Sequence, residues 1–147
     1  MSDRRPVAYV TRIECFSACH RLHSKLLSDE DNKAIFGKCN NPNGHGHNYK
    51  VEVTVKGPID ETTGMVINVH DLKKIINDVV MDVMDHKHLD LDVPAFRDTT
   101  LVSTTENVTY VIYEGIRKQL PSHVHLYEVK IHETDKNVVI FKGEYDE

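Results

Sequence analysis

From Asn48 the chain alternates strictly, with Tyr49, Val51, Val53 and Val55 on one side and Lys50, Glu52, Thr54 and Lys56 on the other. That two-residue period predicts a strand with one buried face, ending at Gly57-Pro58. An earlier strand runs from about Val7 to His20 and reads as its antiparallel partner, across a connection wider than a tight hairpin. Within that connection Ser28, with Asp31 three residues on, predicts the start of a short helix, and Gly37 its stop. Residues 59–64 are a turn. After Asn68 the period changes: Leu72, Ile75, Ile76, Val79, Val80, Val83 and Met84 recur at helical spacing, with Asn68 as N-cap and Asp71 three residues later. A second helix opens on the capping-box pattern Ser103-Thr104-Thr105-Glu106, carries Val108, Val111, Ile112 and Ile116, and is stopped by Pro121. Between the helices, residues 89–101 form a connector containing Pro94. Two strands close the chain. Tyr127, Val129, Ile131 and Glu133 share a face of the first, Val138–Phe141 is the second, and Thr134-Asp135-Lys136-Asn137 turns between them.

The order ββααββ predicts a single α+β domain over 1–147, with two helices on one face of an antiparallel sheet. Four strands leave two open edges with nothing to protect them, so edge-to-edge association into a larger sheet or barrel is expected.

One stretch breaks the strand and helix grammar: Cys39-Asn-Asn-Pro-Asn-Gly-His-Gly-His-Asn-Tyr49. Asn-Pro and Asn-Gly are turn dipeptides, so Cys39 and His45 can meet across a tight loop. The strand period places His45 and His47 on the apolar face, where two imidazoles can converge on one metal ion. A third ligand is needed, and His20, at the end of the first strand, is the best candidate. Three histidines with an open position form a catalytic zinc site; three histidines plus Cys39 form a closed structural one. Lys38 beside Cys39 favours a thiolate, which suits either a general base or a ligand.

Two further pairs have the same spacing. His123 and His125 flank a strand start after Pro121 and read as surface residues. His86 follows the helix stop beside Asp85, an arrangement of a proton-handling histidine and equally of a histidine capping the negative end of a helix. Glu133 is a carboxylate on an apolar face without a local cation. A heterocycle offering an amide N–H and an amino group side by side would satisfy it.

Composition narrows the setting. A net charge of -5 gives no electrostatic case for nucleic acid or an anionic membrane. No stretch is long and apolar enough to span a membrane, and the start Met-Ser-Asp-Arg-Arg-Pro lacks the apolar run of a signal peptide. Three cysteines, an odd number, fit a reducing compartment, so the cytoplasm is the expectation.

Taken together, Phe16-Ser17-Ala18-x-His20, Gly37-Lys38-Cys39 through His45-Gly46-His47-Asn48-Tyr49, Asp85-His86, Ser103 to Asn107 and Glu133-Thr134-Asp135 resemble the 6-pyruvoyl-tetrahydropterin synthase family over nearly the whole chain. The resemblance implies the tunnelling fold (T-fold): trimers close a twelve-stranded barrel, two trimers stack into a homohexamer, and active sites lie at subunit interfaces. It implies zinc on His20, His45 and His47, Cys39 as the proton-abstracting base, Asp85 with His86 as a proton relay, and Glu133 anchoring the pterin ring with help from Thr104 and Thr105. The implied reaction, a step of tetrahydrobiopterin biosynthesis, is that of a phosphorus-oxygen lyase. It converts 7,8-dihydroneopterin triphosphate to 6-pyruvoyl-tetrahydropterin with loss of triphosphate, and Mg2+ accompanies the substrate. For the triphosphate, Arg21, Lys25, Lys38 and Lys87 are available. Related enzymes making 6-carboxytetrahydropterin usually have three residues between the cysteine and the histidine pair; the five here favour the pyruvoyl reaction. A non-catalytic binding module, its zinc closed by Cys39 together with the three histidines, is the alternative of another class. Two departures stand out: Cys19 where the family usually has serine, and a slightly longer connector near 97–101, by the substrate rim at Thr104.

Overall fold

The computed structural model describes residues 4–147; the first three residues of the expected domain, and of the Met-Ser-Asp-Arg-Arg-Pro start, lie outside them. Strands β1 (Val7–His20) and β2 (His45–Pro58) pair antiparallel without interruption, from Val7 opposite Pro58 to His20 opposite His45. This unbroken register is what brings distant histidines together. Helix α1 (Asp29–Phe36) fills the connection, with Ser28 capping it through the Asp31 N–H and Gly37 ending it at φ 58°, as expected.

The sheet continues through β4 (His125–His132) to β5 (Val138–Phe141), and a short β3 (Lys87–His88) lies on the other side of β1, giving the order β3-β1-β2-β4-β5. The expected four antiparallel strands are thus joined by a fifth, which runs parallel to β1 at Ala18 and Cys19. Two residues are too few to show a period. The long edge of β1 before Ser17, and the outer edge of β5, have no strand partner among the described residues.

Helix α2 (Val69–Ile76) passes through a π turn (Asn77–Met81) into α3 (Asp82–Met84), presenting Leu72, Ile76, Val80 and Met84 to the sheet. Short turns α4 (Leu89–Asp92) and α5 (Pro94–Arg97) lead to α6 (Thr105–Gln119), which buries Val108, Ile112, Tyr113 and Ile116. These pack on the face carrying Phe16, Tyr49, Val51, Val53, Val55, Val129 and Ile131, all essentially inaccessible. Each such aliphatic side chain contributes roughly 1.5–3 kcal/mol on burial.

Two local expectations need correction. The β2–β4 register slips between Thr54 and Val55, where Thr54 pairs with Glu128 and Val55 with Leu126. This bulge turns Tyr127 to the opposite face, where its ring meets the edge of Tyr9 at 4.9 Å, and Leu126 takes the core position expected of Tyr127. At α6 the N-cap is Thr104, whose hydroxyl accepts the Asn107 N–H, so the capping frame starts one residue later than Ser103 and excludes Glu106 from the box.

Candidate active site

Because β1 and β2 end opposite each other, His20 and His45 face across the sheet end, and the two-residue period of β2 adds His47 on the same side. The ligand nitrogens of these three side chains lie within 4.8 Å of one another. His20 Nε2 and His45 Nε2 are 3.1 Å apart. The Nδ1–H of His20 donates to the Ser103 carbonyl at 2.6 Å, which leaves Nε2 as a bare lone pair aimed at the cluster. Burial holds both His20 and His47 below the ordinary histidine pKa, the neutral form that ligates metal. His47 Nε2 is buried without a hydrogen bond; its 3.1 Å approach to Glu133 Oε1 lacks hydrogen-bond alignment. Three converging imidazole nitrogens, one of them buried without a hydrogen bond, fit a divalent cation with imidazole affinity. Cys39 is not part of this tight set. Behind the histidines Tyr49 stacks on Phe16 at 4.8 Å and edges His47 at 5.5 Å, its hydroxyl buried without a partner among the described residues.

Cys39 sits in the 3-10 turn Gly37–Asn40 and lines one cavity of about 370 Å³ with His45, His47, Glu133 and Lys38. That volume is in the range of small-molecule sites. The loop is fixed by long-range contacts that the sequence does not record. Asn40, buried, donates to the Leu22 carbonyl and to His23 Nδ1, while Arg21 Nε donates to the Asn40 carbonyl and the Leu22 N–H to that of Cys39. The turn then closes through Asn41, whose side chain accepts the Asn43 N–H and whose carbonyl accepts that of Gly44. Gly44 has φ 75°, and a Cβ there would lie 2.8 Å from the His20 carbonyl oxygen.

Glu133 follows β4. Its Oε2 accepts the Thr105 hydroxyl at 2.5 Å, so the start of α6 holds the carboxylate beside His47. Thr104 serves the helix as its cap.

Asp85 and His86 are elsewhere. They form a pair, Asp85 Oδ2 to His86 Nδ1 at 2.9 Å, docked on the open edge of β1, where Asp85 Oδ1 accepts the Ser17 N–H at 2.9 Å. That N–H, and next the neighbouring imidazole, hold the Asp85 carboxyl below its ordinary pKa. His86 is left-handed, at φ 60°, with its side chain 83% exposed and directed away from its own chain's core. Neither lines the Cys39 cavity. Among the basic residues, the Lys25 ammonium is engaged by the carbonyls of Phe96, Arg97 and Thr99. His123 and His125 are exposed, as expected.

The sheet, its helical layer and a pocket combining three convergent imidazoles, a thiol and a carboxylate define an α+β enzyme with a metal-capable small-molecule site. The description "6-pyruvoyl tetrahydropterin synthase" belongs to the family whose sequence model matches residues 9–144, and the chain belongs to that family. It is 60% identical over 138 residues to the 6-pyruvoyl tetrahydrobiopterin synthase of Poecilia reticulata, covering 94% of this chain and 92% of the relative. To the enzyme of that name from Homo sapiens it is 60% identical over 141 residues, covering 96% and 95%. The solved 6-pyruvoyl tetrahydropterin synthase of Caenorhabditis elegans superposes with a TM-score of 0.90 at 47% identity, over 97% of this chain and all of that one. Among the described residues no helix is long and apolar enough to cross a membrane.

Proposed function

We infer that this chain converts 7,8-dihydroneopterin triphosphate to 6-pyruvoyl-tetrahydropterin with loss of triphosphate, as a phosphorus-oxygen lyase of tetrahydrobiopterin biosynthesis. The observation that carries this reading is the placing of Glu133, His47 and Cys39 around one cavity in a chain so similar to synthases of that name.

Each residue has a defined task. Glu133, steadied by Thr105, accepts two hydrogen bonds from the amide and amino groups of the pterin and fixes the ring. His20, His45 and His47 would hold zinc, which supplies Lewis acidity toward the substrate's side-chain hydroxyls and so makes the adjoining C–H bonds more acidic. Cys39 takes the proton as thiolate. Asp85 and His86, on the open β1 edge, serve the cavity of a neighbouring copy as a proton relay once edges pair into a trimer and trimers into a homohexamer. Hydrogens only move within the substrate, so no redox cofactor is required. Mg2+ accompanies the triphosphate, and the free thiols of Cys15, Cys19 and Cys39 support a cytoplasmic setting.

The test is the mass of the product formed from 7,8-dihydroneopterin triphosphate and Mg2+. A 6-pyruvoyl product that vanishes on zinc removal is expected. A 6-carboxy product would assign the sister reaction. No turnover by zinc-loaded hexamer, with zinc released by thiol alkylation, would assign a closed site in which Cys39 completes the three-histidine set.

A further inference from the structure

We propose that the triphosphate tail of the substrate leaves the histidine cavity past Lys38 and Asn41 and is held in an adjoining groove by Lys33, on the last turn of α1. This rests on the function proposed above and names the subsite that it leaves open.

Three cavities surround the Asn41-Pro42-Asn43-Gly44 turn. The histidine cavity has Glu133 beside His47 within it and extends to Cys39, Lys38 and Asn41. A second cavity, of about 260 Å³, is lined by Lys33, Gly37, Lys38 and Asn40 to Pro42. The two share Lys38 and Asn41, so they adjoin there and mark out a path around that turn. With the ring at Glu133 and the reacting side chain at the histidines, the phosphates at the far end of that side chain point along this path.

Charge selects the same route. Neither the Lys33 nor the Lys38 ammonium has a hydrogen-bond or ion-pair partner among the described residues, and both residues are exposed, so both charges are available to an anion. Among the described residues no carboxylate lines this groove. The third cavity, of about 210 Å³ on the other side of the turn, is lined by as many Lys and Arg residues but is less able to take phosphate. Its Lys25 is saturated by three carbonyls. Its Arg21 spends Nε and one Nη on Asn40, and the Asp90 carboxylate lies within it, with His23, His88, Pro42 and the apolar Leu91, Phe96 and Leu101 completing the walls. It also shares no lining residue with the histidine cavity. Of the two cavities that flank the turn beside the histidine cavity, the one on the Lys33 side thus offers a polyanion two ammonium groups without a hydrogen-bond partner among the described residues.

Lys33 is the position to change, because Lys38 adjoins Cys39 and is entangled with the chemistry. In zinc-loaded protein, Lys33→Glu should raise KM for 7,8-dihydroneopterin triphosphate roughly three- to tenfold, the scale of one exposed charge contact and its reversal, with kcat nearly unchanged. Lys33→Gln should fall between. Competitive inhibition by inorganic tripolyphosphate should weaken in parallel, while inhibition by phosphate-free 7,8-dihydroneopterin stays constant. Lys118→Glu, exposed at the end of α6, controls for net charge and should leave all of these alone. An unaltered KM and tripolyphosphate constant in Lys33→Glu would overturn the assignment, as would equal effects from Lys118→Glu. Calorimetric binding of tripolyphosphate needs no turnover. Wild-type binding that Lys33→Glu abolishes, in a protein that makes no product, would retain the anion groove and reject the proposed reaction.

Discussion

The Nδ1–H of His20 donates to the main-chain carbonyl of Ser103 at 2.6 Å, across 83 positions of sequence. This bond joins the last residue of β1 to the residue before the N-cap of α6, and so ties one imidazole of the three-histidine cluster to the helix start that holds Glu133 through Thr105. It uses the backbone of Ser103 alone. The Ser103 hydroxyl is buried without a partner among the described residues. Ser103→Ala should therefore keep zinc affinity and change stability by no more than about 1 kcal/mol, in the favourable direction, since it removes an unpaired buried polar group. A fall in thermal midpoint with loss of zinc would show that the hydroxyl has a partner after all.

Acid should act on this site through the histidines. Burial first, and then the neighbouring imidazoles, lower the pKa of His20 and His47, opposed by the Ser103 carbonyl and Glu133 respectively. A histidine with a depressed folded pKa takes up a proton more readily when unfolded. Stability of the metal-free protein should thus be constant above the ordinary histidine value near 6.5 and fall as pH drops through it. Bound zinc, competing with protons for neutral imidazoles, should be retained to below that same value. Denaturant midpoints and dialysed zinc content between about pH 8 and 5 check both. Zinc lost already on the alkaline side of the ordinary histidine value would contradict the depressed values.

The Thr105 hydroxyl is buried and spends its donor on Glu133. Removing a hydrogen bond to a charged group costs about 1.5–3 kcal/mol, so Thr105→Val should raise KM for the pterin by roughly tenfold or more. Thr105→Ser, which restores the donor, should recover most of it. If Glu133 anchors the ring as proposed, the contact orients substrate and does not move the proton, so kcat should fall less than kcat/KM. Equal effects of Val and Ser would mean that Thr105 acts only through the helix start.

The elements that were legible in sequence are those whose cause is local. Ser28, Gly37 and Asn68 act on neighbouring backbone groups, and Tyr49, Val51 and Val53 share a face because any strand alternates. His45 and His47 follow from that same period, and His20 from its place at a strand end. What was not legible depends on a partner elsewhere in the chain. The bulge at Tyr127 exists only where β4 pairs with Thr54 and Val55, β3 lies on the edge offered by Ser17 to Cys19, and the α6 cap stands at Thr104, next to a Ser103 whose carbonyl is taken by His20. The Asp85-His86 pair was legible as a pair but not as a feature of the β1 edge, since nothing local records that Asp85 accepts from Ser17.

Gly44 puts the closest constraint on the loop between thiol and histidines. At φ 75° an alanine there loses about 1–2 kcal/mol on backbone grounds alone. Its Cβ would in addition stand 2.8 Å from the His20 carbonyl oxygen, a backbone atom that cannot turn aside. Relief requires the β1 end or the loop to move, and either displaces His20 from His45. Gly64 separates the two effects, with φ 72° but nothing within 4 Å of an added Cβ. Gly64→Ala should lower the thermal midpoint by a few degrees and leave zinc affinity unchanged. Gly44→Ala should lower the midpoint further and weaken zinc by about tenfold or more, the scale seen when a ligand's supporting contact is lost. Equal zinc affinity in the two variants would mean that the loop adapts independently of His20, and that the short path from Cys39 to His45 is not what holds the histidines in register.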